Sequence, residues 1–430
     1  MRASIVCWGV ILSLLAGISH AEEVIKPGET LTLDRAVETA LRFHPSIIAA
    51  EKAVEAGRQR VGQARAGYYP HIDISGSYTK YDPTPGTVSL PPGTGRPPYD
   101  RYAASAALSQ TIFDFGKTGG TVSIQRHNLD ALSSELRGVT NDVIFNVKQA
   151  YFGVSRCERN RKVAEQTVNM LEMKLEQAEE FYKTGVRSKF DVTKARVDLS
   201  NARLDLVRAE NACRIAVLNL NNAMGVPDAP TYEMEDILSY QKYEITFEEA
   251  LQRAYSNRPD LTALEARKKA ANASLTLAKS GYFPTISANA AYNWAGEEFP
   301  LESGWSATAM VTFPLFSGFQ TMYQAGEARA NMMALDANIE ALRQAVHLEV
   351  KRAYLNLLEA EERIKASELV VEQTKENLEI ADGRYKAGVG NPIEVADAEV
   401  AYSAAQMDYI QALYDYRIAQ AGIERAMGTR

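Results

Sequence analysis

An internal repeat constrains this chain more than any other feature. "LTLDRAVETALRFHP" at 31–45 matches "ITFEEALQRAYSNRP" at 245–259, and "AGYYPHI" at 66–72 matches "SGYFPTI" at 280–286, both at an offset of 214 residues. Further along the chain, "IFDFGKT" at 112–118 matches "LFSGFQT" at 315–321 at an offset of 203. Two steady offsets predict one structural unit written twice, with a single insertion or deletion inside it.

The repeat predicts two copies, residues 31–226 and 245–430, joined by an irregular acidic connector at 227–244 that packs beside the helices. The offset changes within "DPTPGTVSLPPGTGRPP", where the density of proline and glycine predicts an exposed loop. Residues 1–21, "MRASIVCWGVILSLLAGISHA", are typical of a cleavable export signal, so we expect the mature protomer to span residues 22–430.

The charge balance excludes one class of partner. Removing the signal removes Arg2 and leaves 46 basic residues against 54 acidic ones, a net charge of -8. An acidic exported chain has no electrostatic footprint for nucleic acid, so we expect no nucleic-acid binding.

Short segments in both copies alternate with a period of two, which is typical of half-buried strands. They occupy 71–78, 285–294 and 305–312, with a weaker example at 102–112. Strands of about ten residues with one apolar face and aromatic ends are typical of transmembrane barrels. Because no apolar run of about 18 residues follows the signal, we expect any membrane-spanning part to be a β-barrel, built from hairpins at about 70–113 and 284–316.

The remainder of each copy is predicted to be helical. Proline is absent from residues 99–226 and 315–391, and both stretches carry apolar residues at spacings of three and four. Such spacing predicts helices packed as coiled coils, one of them running from about Thr118 to Lys183, roughly 100 Å. The two stripes correspond at an offset of 203: Leu132, Leu136, Val139, Val143, Val147, Ala150 and Val154, and Leu335, Ile339, Leu342, Val346, Val350, Ala353 and Leu357.

Two strands per copy give one protomer four strands. An open four-stranded sheet in lipid would leave unpaired N–H and C=O groups along both edges, and each costs several kcal/mol. Several protomers must therefore combine to close the sheet. Three would supply 12 strands, an even number within the range of outer-membrane barrels.

The duplicated plan, the "GYYP" and "GYFP" motifs before the hairpins, the "IFDFG" and "LFSGF" motifs after them and two Tyr-x-x-Gly-Val tips resemble the TolC family of outer-membrane efflux proteins over residues 31–428. The resemblance implies a mainly α-helical homotrimer whose 12-stranded transmembrane β-barrel, with four strands per protomer, continues into a long periplasmic α-helical barrel. It also implies location in the outer membrane of a Gram-negative cell, with the helices extending into the periplasm.

A member of this family would be the passive exit duct of a tripartite efflux pump or a type I secretion system. Its partners would be a periplasmic adaptor (membrane fusion protein), an inner-membrane transporter and outer-membrane lipid. A second interpretation is a non-channel periplasmic coiled-coil adaptor or structural spacer with soluble hairpins. The aromatic-ended strands favour the channel.

The two tips predict tight turns between long helices. Gly185 and Gly388 follow the helices as C-cap glycines do, and "SKFD" at 188–191 and "NPIE" at 391–394 match the capping-box pattern. Turn geometry alone could explain the Gly-Val pairs at both tips. The resemblance adds a second role, contact with the adaptor, for Gly185, Val186, Gly388 and Val389.

The resemblance also implies a constricted pore entrance at the tips. Asp191, Glu394 and Asp397 align with the acids that line it, where stacked carboxylates favour cations. Capping could explain Asp191 and Glu394, but not Asp397, so Asp397 is the more informative residue. Tyr385 is retained from the family's closing network, whereas Gly390 replaces an arginine that helps to hold the entrance shut in its best-known member.

Cys157 and Cys213 lie on opposite sides of the first tip, at nearly the same level. Neighbouring helix axes are usually too far apart for relaxed disulfide geometry, which favours two buried thiols over a bond. We find no pattern for an enzyme. "FGKT" at 115–118 lacks the first glycine of a phosphate-binding loop, and the histidines lack metal-ligand spacing, so we expect no catalytic residue, metal or cofactor.

Overall fold

The structure, a computed structural model, describes residue 26 and residues 28–81 and 98–429. The expected signal at 1–21 and most of the predicted Pro- and Gly-rich loop lie outside these ranges. The described strands are β1 (Thr30–Leu31), β2 (His71–Tyr81), β3 (Tyr99–Phe113), β4 (Glu233–Met234), β5 (Thr285–Gly296) and β6 (Glu302–Thr312). The described helices are α1 (Leu33–Phe43), α2 (Pro45–Arg65), α3 (Lys117–Lys183), α4 (Lys189–Met224), α5 (Phe247–Asn257), α6 (Pro259–Ser280), α7 (Gln320–Lys386) and α8 (Pro392–Ala426).

The two longest helices, α3 and α7, have 67 residues each. At 1.5 Å per residue each spans about 100 Å. The predicted apolar stripes supply their buried faces, with Val147 and Val154 in α3 and Val346 and Val350 in α7 almost fully buried. The prediction of one helix from about Thr118 to Lys183 is therefore confirmed to within one residue.

In the part of the chain that the structure describes, no helix is both long enough and apolar enough to cross a membrane.

Four strands form one antiparallel sheet in the order β2-β3-β5-β6. His71 pairs with Ser109 in the first hairpin, and Thr285 pairs with Thr312 in the second. These residues differ by the two sequence offsets, 214 and 203, so the two hairpins have the same register. The pairing of β3 with β5 joins the hairpins into a single sheet.

The helices follow the lateral order of the strands. Next to the sheet, α2 packs on α3, α3 on α6 and α6 on α7, while towards the tips α4 packs on α3, α3 on α8 and α8 on α7. The chain is thus a strip, with β2, α2 and α4 along one edge and β6 and α7 along the other. Every residue of β2 and β6 is exposed, because each strand has a neighbour on one side only.

The connector wraps the helices about halfway along their length. Its strand β4 pairs in parallel with β1 from the N-terminal segment. The buried hydroxyl of Tyr151 in α3 donates to the carbonyl oxygens of Leu31 and Glu235, both at 2.9 Å, and so fixes this small sheet to the helices. The sequence analysis predicted the connector's position but missed the two strands, because two residues are too few to show a period.

The structure contradicts the prediction of two separate thiols. Cys157 and Cys213 form a disulfide between α3 and α4, with their Cα atoms 5.3 Å apart. This separation lies within the usual disulfide range, so the helices approach more closely here than the average used in the prediction.

Denatured, unreduced protein is expected to contain no free thiol, as measured by reaction with a thiol reagent. Two free thiols would show that the bond is absent. We expect Cys157→Ala together with Cys213→Ala to lower the free energy of unfolding by about 2–4 kcal/mol, because the bond closes a long loop in the unfolded chain.

Candidate functional site

Both helical hairpins end in the same backbone turn. Gly185 and Gly388 adopt the left-handed conformation, at φ 77° and 81°, as the C-cap glycines of Schellman motifs do. The bond that defines the motif spans five residues in each tip, from Val186 N–H to the Phe181 carbonyl at 2.9 Å and from Val389 N–H to the Arg384 carbonyl at 3.1 Å. The predicted C-caps are confirmed.

The predicted capping boxes are wrong in detail. The Ser188 hydroxyl donates to the Asp191 carboxylate at 3.2 Å instead of accepting from the backbone, because an aspartate side chain is shorter than the glutamate that reaches back in a true box. In the second tip, Asn391 accepts from the backbone N–H of Ile393 at 3.0 Å. The Glu394 carboxylate turns instead towards Arg384, 3.7 Å from its Nε.

The first tip is attached to the second by Arg187. Its Nη2 donates to the carbonyl oxygen of Gly390 at 3.2 Å, and its guanidinium carbon lies 4.9 Å from the centre of the Tyr385 ring. A Cβ on Gly390 would lie 2.7 Å from the Tyr385 backbone nitrogen, so this turn has no room for a side chain. The arginine that contacts Tyr385 is therefore Arg187 of the first hairpin, and not a residue at position 390 of the second hairpin.

Asp191 and Tyr385 are buried together between the tips. Asp191 is only 8% exposed, and Tyr385 also packs against Phe181. Burial raises the pKa of the Tyr385 phenol, and the negative charge of Asp191 raises it further. The structure thus places Asp191 inside the contact between the hairpins.

Glu394 and Asp397 are exposed one helical turn apart on α8. Glu394 forms an ion pair with Arg384, whereas Asp397 has no ion pair among the described residues. Two carboxylates three residues apart project from the same helix face. Of the three predicted entrance acids, these two form an accessible pair and Asp191 does not join them.

Apolar side chains are exposed at the ends of both hairpins. Val186 is 65% exposed and Val389 is 73% exposed, and each has an exposed neighbour in the next helix, Phe190 and Ile393. Exposed apolar residues grouped at one end of a molecule are typical of a protein contact surface.

A polar cluster links the hairpins close to the tips, and the sequence analysis missed it. Glu399 in this cluster is buried, and Lys174 and Asp382 are half-buried. Lys174 in α3 forms an ion pair with Asp382 in α7 and lies 3.7 Å from Oε1 of Glu399 in α8. Glu399 is 4% exposed, and its Oε1 accepts no hydrogen bond from the described residues. The sequence held one sign of this cluster, because Glu399 is a charged residue within the buried stripe of α8 that includes Val395, Ala398 and Ala405.

The surroundings shift the pKa values of the two carboxyl groups, Glu399 and Asp382, in opposite directions. Burial raises the pKa of Glu399, and the attraction of Lys174 offsets only part of that effect. Burial also acts to raise the pKa of Asp382, but hydrogen bonds from Lys174 and Lys386 outweigh it and hold the pKa below its usual value. One lysine therefore serves two carboxyl groups, of which Asp382 is held more strongly in the charged form.

Comparisons with known proteins give matches along most of the chain. The family model described as outer membrane efflux protein matches residues 36–226 and 250–429. Protein CyaE of Bordetella pertussis is 25% identical over 389 residues, covering 89% of this chain and 81% of the relative. The outer membrane protein TolC of Vibrio cholerae is 22% identical over 404 residues, covering 90% and 88%.

The fold also matches a solved structure. The crystal structure of a membrane protein from Pseudomonas aeruginosa superposes with a TM-score of 0.79 at 22% identity and covers 92% of each chain. At this identity the match concerns the fold alone.

Replacing a tip glycine should loosen that tip. We expect Gly185→Ala or Gly388→Ala to lower the local free energy of opening by about 1–2 kcal/mol, since a left-handed conformation strains any residue with a Cβ. Hydrogen exchange of the tip peptides measures this opening. Gly383→Ala is the matched control, because it is helical and has free space around its Cβ, and it should stabilise α7 by about 0.5–1 kcal/mol. Equal exchange in all three variants would contradict the turn assignment.

Glu399→Gln should stabilise the protein increasingly as the pH rises above the usual pKa of a glutamate, about 4.3, and through the raised pKa of the folded state. With a raised pKa in the folded state, Glu399 binds more protons folded than unfolded in this range, so its contribution to stability falls as the pH rises. Thermal unfolding of the detergent-purified variant and wild type measures the difference.

Asp382→Asn is the control, for which we expect the opposite dependence of stability on pH. The pKa of Asp382 is lowered, so its contribution is present above the unfolded pKa and lost as the pH falls through the folded one. This variant should be less stable near neutral pH, with the deficit shrinking in acid. A pH-independent effect of Glu399→Gln would refute the burial argument.

Proposed function

Because this chain belongs to the outer membrane efflux protein family, we propose that three copies assemble into a continuous duct through which substrates leave the periplasm passively. The chain is thus an outer-membrane efflux channel protein, and the adaptor or spacer interpretation is not favoured. The observation that carries the assembly proposal is the strip, which ends in unpaired edges both in the sheet and along the helices.

Closure of the strip satisfies two physical requirements at once. Pairing β6 of one copy with β2 of the next would satisfy the backbone groups of both edge strands, which lipid cannot do. Alongside, α7 of one copy would pack on α2 and α4 of the next. These helices carry exposed apolar residues that need a partner, Leu348, Leu355, Leu369 and Ile380 in α7 and Val197, Leu204, Val207 and Leu218 in α4.

We further propose that each protomer is a tandem duplication with the boundaries 31–226 and 245–430. The equal lengths of α3 and α7 and the shared register of the two hairpins support it. In this interpretation three copies give six similar units and a barrel of 12 strands, within the usual range for outer-membrane barrels.

The exposed acids give the proposed duct its charge preference. Three copies would place Glu394 and Asp397 in two stacked rings at the periplasmic end, and rings of carboxylates favour cations over anions. Asp191, being buried, is assigned a different role. Together with Tyr385 and Arg187 it holds the two tips of one protomer against each other, and so supports the shape of the entrance.

The relatives suggest the partners. We propose that the apolar ends of the hairpins, Gly185, Val186, Gly388 and Val389, contact a periplasmic adaptor, which connects the duct to an inner-membrane transporter. Valines that are more than half exposed at the very end of a long hairpin fit such a contact, since burying them would add to the affinity.

The duct itself is tested by purification and electrical recording. Detergent-extracted protein should have the native mass of three protomers and should conduct ions across a planar bilayer. Extraction as a soluble monomer without detergent would refute the duct.

Asp397→Asn should lower the permeability of the channel for cations relative to anions several-fold, because three charges leave one ring. The measurement is the reversal potential in a salt gradient. Glu248→Gln is the control, since it makes the same change of charge at an exposed site in α5, far from the tips. Unchanged selectivity in Asp397→Asn would remove this residue from the pore, while unfolding is excluded by an unaltered native mass.

A further inference from the structure

A cleft of about 360 Å³ lies where the two hairpins meet, close to the tips. Its lining comes from α3 and α4 of the first hairpin and from α8 of the second. Small-molecule sites in proteins usually measure about 300–1,000 Å³, so this cleft has room for a small ligand.

Most of the exposed lining of the cleft is apolar. Leu171 in α3 and Ala202 in α4 belong to the first hairpin, and Val400, Ala404 and Met407 belong to α8. Val400 is 71% exposed in the protomer, so this apolar surface is accessible from solvent. A ligand with a hydrocarbon chain would remove it from water, which favours binding.

The polar part of the lining is mainly acidic. It contains four acids, Asp198, Asp205, Asp397 and Glu399, and one basic residue, Lys194. The lysine is already used, because its Nζ lies 2.5 Å from a carboxylate oxygen of Asp198.

Two of these acids have no basic residue of their own. Asp205 forms an ion pair with an arginine outside the cleft, whereas Asp397 has no ion pair among the described residues. Glu399 lies near Lys174, but that lysine is also paired with Asp382. The groups around the cleft therefore leave an excess of negative charge, which attracts a cation.

Glu399 distinguishes this cleft from an ordinary acidic surface. The residue lines the cleft and is 4% exposed, and its Oε1 accepts no hydrogen bond from the described residues. Its distance to Nζ of Lys174, 3.7 Å, is that of an ion pair and is too long for a hydrogen bond. A buried carboxylate oxygen without a hydrogen bond is costly, so it is a ready acceptor for a donor that enters the cleft.

We propose that the cleft binds a small hydrophobic organic cation of the alkylammonium class. The ammonium group donates a hydrogen bond to Oε1 of Glu399, and the alkyl chain packs on Leu171, Val400 and Met407. A positive charge at this place favours the charged form of Glu399, as Lys174 already does in part. Both parts of the ligand are needed, because a bare cation buries no apolar surface and a neutral alcohol makes no charge-assisted hydrogen bond.

The position of the cleft gives its ligand an effect on the hairpins. The ligand contacts α3 and α4 on one side and α8 on the other, so it favours the arrangement in which the two hairpins are in contact. In the duct proposed above Asp397 faces the lumen, and the cleft that Asp397 borders opens onto the lumen just inside the entrance. This location rests on the proposed function, whereas the binding itself does not.

Calorimetric titration with n-hexylammonium chloride tests the proposal. The full-length mature protein is placed in nanodiscs of neutral lipid, and empty nanodiscs give the blank. We expect saturable binding, and we expect n-hexanol and ammonium chloride to bind at least about tenfold more weakly. Absence of saturable binding of n-hexylammonium, or equal binding of n-hexanol, would overturn the proposal.

Two substitutions test the two parts of the cleft separately. Glu399→Gln removes the buried charge at nearly constant size and should weaken n-hexylammonium binding at least about tenfold, because hydrogen bonds to charged groups are the stronger ones. Ala404→Phe changes no charge. Since Ala404 is exposed, the ring should fill the cleft without disturbing the core and should weaken binding at least several-fold. Wild-type affinity in both variants, at unaltered native mass, would refute the site.

Asp397→Asn is the matched control. It removes a carboxylate two residues away, at an exposed position of the same cleft. It should weaken n-hexylammonium binding by less than about fivefold, because exposed charges contribute little to an ion pair. A larger loss in Asp397→Asn than in Glu399→Gln would place the cation among the exposed acids of the entrance and would overturn the assignment to the cleft.

Conduction across a planar bilayer is measured on the same preparations. A protein that conducts but does not bind n-hexylammonium would refute this inference and leave the duct intact. Binding with the expected order of variants in a protein that does not conduct would support the cleft and refute the duct.

Discussion

The backbone hydrogen bonds between β3 and β5 are the interaction on which the rest of the structure depends. They pair the last strand of the first copy with the first strand of the second, and without them the chain would be two separate hairpins. Each strand continues directly into a helix or out of one, so the order set in the sheet is carried into the helices. The sequence β2-β3-β5-β6 becomes α2-α3-α6-α7 with no helix crossing another.

The same pairing leaves two edge strands without a partner in the protomer. One edge, β2, belongs to the first copy and the other, β6, belongs to the second. In water such edges could be hydrated, but in a membrane their polar groups have no other partner than a strand. In the proposed duct, the need to satisfy these backbone groups is met by a second protomer, and the exposed apolar stripes of α4 and α7 would be covered by the same contact.

The sequence was most informative where a pattern repeats. Helix α3 could be placed to within one residue because its apolar stripe and lack of proline are local properties of the chain, and the tip glycines could be placed because the left-handed turn favours glycine. The register of both hairpins was implicit in two offsets. These features need no knowledge of how distant segments approach each other.

Features that depend on distance between helices were missed or wrong. The Cys157–Cys213 bond required the local separation of α3 and α4, which no period reports. The cluster of Lys174, Asp382 and Glu399 draws on three helices, and only the misplaced charge at 399 hinted at it. At the tips the expected capping boxes did not form, because Ser188 bonds to Asp191 and Glu394 lies towards Arg384, each within its own hairpin. The predicted entrance acid Asp191 is buried between the two hairpins.

The disulfide makes the two hairpins mechanically unequal. At the offset of 203, its cysteines correspond to Ala360 and Tyr416, so the second hairpin has no covalent bond at this level. Helices α3 and α4 are thus covalently fixed against axial sliding about 40 Å from their tip, at 1.5 Å per residue. At the same level α7 and α8 are held by packing and by the ion pair of Arg363 with Asp415. Of the two hairpins that would meet at the proposed entrance, the first is therefore the stiffer and the second the more easily deformed.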